Sequence, residues 1–325
     1  MSADLRGAGS ALQPGAEAAV REGGPPLANR RRRTTLKEAL TAYAFIGPSV
    51  IGVFLFLLLP VLGALVLSFY SWNYLDPAEF LGLDNYRKLV GDEEVLNGLK
   101  VTAWYLVLHI PIQTALAIFI AVQLNKRIRG RGFFRALFVL PWLTTPVVMG
   151  IVWNWLFDPG AGAINRLLGY ISLGPVEWLT DPMWAMPAIA MMTTWQWTGY
   201  QTLFFLAGLQ SISPSVYEAA AMDGASPRQV FWHVTLPLLR PMTFFVIVTS
   251  TIASAQIFDV VSVMTPEGGP GRSTAVVNYL IWETAFRFFD AGYGSAIAMM
   301  LFVIILIITI AQFAYFRRRT TYDLG

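Results

Sequence analysis

The stretch "EAAAMDGASPRQVFWHVTLP", Glu218 to Pro237, lies between two long apolar runs and is rich in small residues, Gly and Pro. Its helix signals are explicit. Ser213-Pro214 is an N-cap followed by proline at the first helical position. "SVYEAAAM" continues the helix, and Asp223-Gly224 stops it, with Gly free to take φ > 0. Ser226-Pro227 starts a second helix, and Gln229, three residues after Ser226, permits a capping box. Pro237 and Pro241 mark the start of the next apolar run. Residues 213–237 therefore predict a helix–turn–helix elbow. Ala219, Ala220 and Ala221 offer almost no side chain, so another backbone can approach closely. Tyr217 and Met222 can fill a socket, and Glu218 offers a carboxylate to a basic partner. An amphipathic elbow resting on lipid is the plainer reading, but the first arm has no Lys to grip headgroups.

Around the elbow the chain is a membrane protein by composition. Of 325 residues, 55% are hydrophobic and 13% charged, about half the charged fraction of a soluble domain. Apolar runs without strand-like alternation recur, each long enough for a hydrocarbon core about 30 Å thick. The expected class is an all-α polytopic membrane protein with six spans, near residues 42–72, 101–124, 134–157, 183–209, 238–264 and 289–316. Pro48, Pro60, Pro111, Pro141, Pro146 and Pro187 fall inside them and favour kinks. Cysteine is absent, which excludes disulfides and thiolate metal sites.

Residues 1–36 are Gly-, Ala- and Pro-rich without a helical apolar period and are expected to form a disordered tail ahead of a membrane domain over 37–325. "RRRR" at Arg30–Arg33 directly precedes a full-length span, the pattern of a retained first helix rather than a signal peptide. The side that receives the tail, the Lys126–Arg135 loop, the elbow and Arg317–Arg319 holds 17 of the 23 Lys and Arg residues, with Lys37 and Arg240 at the adjoining span ends. That asymmetry places both termini and the elbow in the cytoplasm. Trp72, Trp153, Trp155 and Trp178 then fall near the outer boundary, as an interfacial belt.

No energy source is visible in the chain. "GGPGRST" at 268–274 lacks the Lys of a phosphate loop and follows no strand. Away from their ends the spans hold few ionisable residues, His109 and Asp259, against an ion-coupled secondary transporter. His109 reads as a packed helix residue and Asp259 as interfacial. His109 and His233 lie 124 positions apart, which leaves little basis for a membrane enzyme.

The elbow resembles the EAA loop of inner-membrane subunits of binding-protein-dependent ABC importers, E-A-A-x-x-x-G, nine residues, then I-x-L-P. Glu218, Ala219, Ala220, Gly224, Leu236 and Pro237 match, and Val234 stands at the family's Ile. "FLGLDNYRKLV" (80–90) and the segments 131–168, 205–220 and 258–274 are similar to the sugar-importer branch typified by the larger maltose permease subunit. The large external domain of that subunit has no counterpart. The resemblance implies a type I ABC importer permease fold, with a cytoplasmic coupling helix between spans four and five, in a bacterial inner membrane. It implies no cofactor on this chain, ATP and Mg hydrolysed by two partner ATP-binding subunits, a second homologous permease, an extracytoplasmic solute-binding protein, lipid surroundings, a carbohydrate cargo and no nucleic acid. Glu218, Ala219, Ala220, Asp223, Gly224 and Pro237 would couple to the ATPase.

For the cargo site, positions matching the maltose subunit's sugar-lining residues are Gly199, beside Tyr200, then Thr202, Ser250, Ala253, Ser254 and Ile257. Ala253, Ile257 and Thr202 replace an aromatic, an amide and a tyrosine, so a different ligand is implied. Trp195, Trp197 and Gln256 join them on chemistry alone, as ring-stacking and hydrogen-bonding groups. Glycerol 3-phosphate is the alternative cargo. It calls for a basic residue in mid-span, where none stands.

Overall fold

A computed structural model describes residues 36–126 and 129–317. Residues 1–35 of the expected tail, with Arg30–Arg33, lie outside the described residues, as do Arg127, Arg318 and Arg319. The described chain forms two compact units divided after Leu58.

The first unit is α1 (Leu36–Val53), which carries Pro48 internally and runs into a single π turn, Phe54–Leu58. The second begins with α2 (Leu59–Leu67) and a two-stranded antiparallel ribbon, β1 (Tyr70–Ser71) and β2 (Glu79–Phe80), with Tyr70 opposite Phe80. The first expected span thus stops short of Trp72, because the chain turns into the ribbon. α3 (Asp84–Gly91) follows, built from the "FLGLDNYRKLV" segment. Its buried Asn85 donates through Nδ2 to the carbonyls of Ser68 and Tyr70, both at 3.0 Å. Those carbonyls lie where helix gives way to strand, so Asn85 supplies partners that neither ladder offers. Asn85→Ala is expected to lower stability by about 1–3 kcal/mol, read as an earlier thermal unfolding midpoint in detergent. An unchanged midpoint would show that water replaces the amide.

α4 (Glu93–Asn125) is 33 residues long and starts eight residues before the expected second span. Asp92 caps it, accepting from the N–H groups of Glu94 and Val95 at 2.9 and 3.3 Å. These opening turns are polar, so an apolar run does not reveal them. The third expected span is broken into α5 (Arg131–Val139) and α6 (Pro146–Leu156), bent by 97°. A 3-10 turn containing Pro141 and the extended residue Thr145, just ahead of Pro146, make the break. α7 (Ala163–Tyr170) leads to α8 (Pro182–Ser211), which follows the fourth expected span closely.

The elbow is α9 (Pro214–Met222) and α10 (Pro227–Val230). A π turn and α11 (Leu236–Leu238) lead into α12 (Arg240–Ala255), with a bend of 63° at Leu239. Residues 256–258 interrupt the fifth expected span before α13 (Asp259–Met264). α14 (Val277–Trp282) and α15 (Ala291–Arg317) complete the described chain.

Three stretches, Leu40–Leu67, Glu93–Asn125 and Ala291–Arg317, are long and apolar enough to cross a bilayer, and each bent pair adds one more. The remaining expected span, the fourth, is α8. It is 30 residues long and free of charge, but studded with Thr and Gln. Much of it is buried, so protein rather than lipid surrounds it.

α4 and α8 pack along most of their length, and α12 and α14 close on α4. Ala117 and Ala121 on α4 let Phe205, Leu206 and Leu209 of α8 come close, with Leu239 and Val246 completing that core. At the other end Val101, Ile189 and Met192 pack with Val261, Met264 and Leu280. The loop holding "GGPGRST" is tied down by Arg272, which donates to Glu94 at 3.0 Å and to both oxygens of buried Glu283 at 3.2 and 2.6 Å. Partial burial opposes the Arg272 charge, but the bonds to Glu283 and Glu94 outweigh it and raise its pKa.

Candidate coupling elbow and central cavity

The elbow's turn is a Schellman motif. Gly224 sits at φ +72°, its N–H donates to the Ala221 carbonyl at 3.1 Å, and the Ala225 N–H donates to Ala220 at 3.0 Å. The second arm carries the capping box: Gln229 Oε1 accepts from the Ser226 N–H at 2.8 Å, and the Gln229 N–H donates to Ser226 Oγ at 3.4 Å. Glu218, Ala219, Asp223 and Gly224 are exposed, Ala220 is half-buried, and Met222 is 83% exposed at the tip. Glu218 forms no ion pair among the described residues. Pro237 lies in α11 at the far end of the elbow, where the chain turns toward α12.

A cavity of about 360 Å³ opens between α4, α8, α12 and the break before α13. α4 contributes Tyr105, His109 and Gln113, four residues apart and so on one helix face. α8 contributes Thr193, Trp197, Tyr200 and Gln201; α12 contributes Ser250, Ala253 and Ser254. The break contributes Gln256 and Ile257, and Asp259 opens α13 at the wall. Asn278 fixes this break by donating to the Gln256 carbonyl at 2.9 Å.

The wall is built from rings and hydrogen-bonding groups. Tyr105 stacks on His109, with centroids 5.2 Å apart, and donates to Thr193 Oγ1 at 3.1 Å. His109 Nδ1 lies 3.0 Å from Thr194 Oγ1. Trp142, from the break in span three, stacks on Tyr200 at 4.3 Å, and Trp197 meets Tyr200 edge-on. Gln201 donates to Ser250, which donates to the Val246 carbonyl. Gln113 and Gln201 are 1% and 6% exposed, and the Oε1 of each has no partner among the described residues.

Of the cargo residues expected from sequence, Tyr200, Ser250, Ser254 and Gln256 line this cavity, with Trp197, Ala253 and Ile257. Gly199 and Thr202 do not. A Cβ on Gly199 would overlap the Phe138 carbonyl of α5, so the glycine is where α8 touches that backbone. Thr202 is buried against α4 and donates to the Thr198 carbonyl at 2.8 Å. Trp195 packs on Trp153 away from the cavity. Sequence reasoning missed Tyr105, Gln113 and Gln201, and took His109 and Asp259 for residues apart from any site. The legible signal was the run Thr102, Tyr105, His109, Gln113, a polar stripe at spacings of three and four along an apolar helix.

Residues 113–321 match the profile of a family described as the binding-protein-dependent transport system inner membrane component. The chain belongs to that family. This permease family segment begins at Gln113 and takes in the elbow, α8, α12 and α13. A probable ABC transporter permease of Bacillus subtilis, YesP, is 36% identical over 88% of this chain and 93% of its own. The trehalose/maltose transport system permease MalF of Thermococcus litoralis is 34% identical over 87% and 95%. A chain of the crystal structure of a bacterial ABC transporter involved in alginate import superposes with a TM-score of 0.76. It is 23% identical and covers 88% of this chain and 98% of its own, a likeness of fold.

Proposed function

We propose that this permease subunit moves a neutral carbohydrate, handed over by an extracytoplasmic solute-binding protein, through the α4–α8–α12 cavity into the cytoplasm. Two ATP-binding subunits drive it, and a second homologous permease completes the pathway. The observation that carries this reading is the exposed, rigidly turned elbow. Glu218, Ala219 and Met222 face outward, and Gly224 sets the angle. Such a lever passes the closing of an ATP-bound dimer into the spans. The distribution of Lys and Arg supports both termini and the elbow lying on the cytoplasmic side.

The cavity supports the cargo. Trp197 and Tyr200 offer faces to a sugar ring, and the unpartnered Gln113 and Gln201 oxygens accept hydroxyl donors. Asp259 adds a carboxylate, and among the described residues no Lys or Arg lines the wall. That inventory disfavours glycerol 3-phosphate, whose charge would have to be desolvated beside Asp259. The trehalose/maltose relative fits the same cargo class.

The test is transport in liposomes. The assembled importer, with its binding protein and ATP, is expected to accumulate labelled neutral di- or trisaccharide. The lone chain is expected to accumulate none, with or without a proton or sodium gradient. Uptake by the lone chain under an ion gradient overturns the ATPase-driven reading. ATP-driven uptake of glycerol 3-phosphate in preference to every neutral saccharide overturns the cargo alone.

A further inference from the structure

Outside the cavity and the elbow's exposed face, one charge cluster has no internal explanation. Arg131 and Arg135 stand one turn apart on α5. With its amide oxygen turned toward them, Gln210 at the end of α8 accepts from both guanidinium groups, at 2.7 and 3.0 Å. Two cations thus share one neutral oxygen. Among the described residues neither arginine forms an ion pair and the Nε donor of neither has a partner. Like charges held on a neutral acceptor leave a site that a doubly accepting anion completes. Bidentate guanidinium geometry suits phosphate oxygens in particular.

The same helix says where that anion comes from. On α5 Phe134 and Phe138 flank the arginines, and Phe133, 68% exposed, and Leu137 project from the other side of the helix, all four being exposed apolar side chains. A short helix with outward-facing aromatic residues and a basic face, at the start of a broken span, has the character of an interfacial helix. We propose that Arg131, Arg135 and Gln210 form a binding site for the phosphate of an anionic phospholipid, whose acyl chains lie along the aromatic face of α5. Gln210 stands four residues before Pro214, so an occupied site braces the stem of the elbow. The proposal does not depend on which solute is carried.

The full chain, purified in neutral detergent, is titrated with short-chain phosphatidylglycerol or phosphatidylcholine, and retained lipid is counted by native mass spectrometry. The expected preference for phosphatidylglycerol is at least roughly fivefold. The double variant R131Q/R135Q should lose it. Gln210→Glu should lose it too, because its carboxylate supplies the missing anion from within, and this variant keeps both arginines in place. If R131Q/R135Q misfolds by its tryptophan emission, Gln210→Glu decides alone. Equal retention of the two lipids by the unaltered chain overturns the site, as does full preference in Gln210→Glu. Displacement of the lipid by millimolar inorganic phosphate identifies a free-anion site instead, and overturns the lipid assignment. Protection of the arginines only within the assembled transporter, with no lipid preference, points to a partner's carboxylate and overturns it equally.

Discussion

Gly224→Pro in the assembled importer is expected to cut ATP-driven uptake roughly 100-fold, the equivalent of about 3 kcal/mol against the native elbow angle. The chain should still insert, and the ATPase subunits should still hydrolyse ATP. Gly224 sits at φ +72°, whereas proline is confined near −65°. Proline also removes the N–H that donates to Ala221 and shifts the next donor away from Ala220. Gly224→Ala separates angle from bulk. No atom lies within 4 Å of the added Cβ, so its cost is conformational alone, about 1 kcal/mol, and uptake should fall only a few-fold. Glu218→Lys leaves the turn intact and reverses the exposed charge, so it should uncouple hydrolysis from uptake without altering stability. The three measurements are labelled solute accumulated, phosphate released and protein in the membrane fraction. Native uptake in both Gly224→Pro and Glu218→Lys would end the lever interpretation.

Gly199→Ala is expected to lower stability by about 3 kcal/mol, the upper end for overpacking. The overlapped atom is the Phe138 carbonyl oxygen, which is backbone and cannot rotate aside. α8 must move off α5, and the shift draws Tyr200 away from Trp142, its stacking partner in the turn after α5. Transport should therefore fall along with the unfolding midpoint. Gly132→Ala is the control. It lies within α5 with nothing inside 4 Å, so the change should be neutral or stabilising by up to about 1 kcal/mol. Equal midpoints for the two variants would show that the α5–α8 contact is loose.

The turn and second arm of the elbow were readable from sequence down to their hydrogen bonds, whereas Ser213 stands at the head of α9 without a side-chain capping bond and meets Ser215 Oγ instead. The readable determinants are local: Ser226 and Gln229 cap within one turn, and Gly224 answers a backbone need at its own position. Span breaks were readable only as kinks, since Pro141 and Pro146 mark a weakness and tertiary packing decides the bend of 97°. The cavity was half readable. Matching residue types placed Gly199 and Tyr200 in the right turn of α8, but neighbours on a helix differ by about 100° in facing. One meets α5 and the other the cavity. His109 and Asp259 read singly as isolated polar residues and Gln113 drew no notice, because their meaning lies in being brought to one wall by two helices, α4 and α13. Arg131, Arg135 and Gln210 converge across 75 to 79 positions of sequence, beyond any local pattern.

The length of α4 bears on how a gate of this kind works. At about 1.5 Å per residue, Gln113 stands roughly 18 Å from Val101 and 17 Å from Leu124, the two limits of the apolar stretch. A solute resting against it is nearly equidistant from both compartments. It need not travel during the cycle; the barrier is exchanged from one side of it to the other, and both barriers are of similar thickness. Neither direction is favoured by geometry, so the sense of transport has to be imposed by the order in which the two sides are sealed.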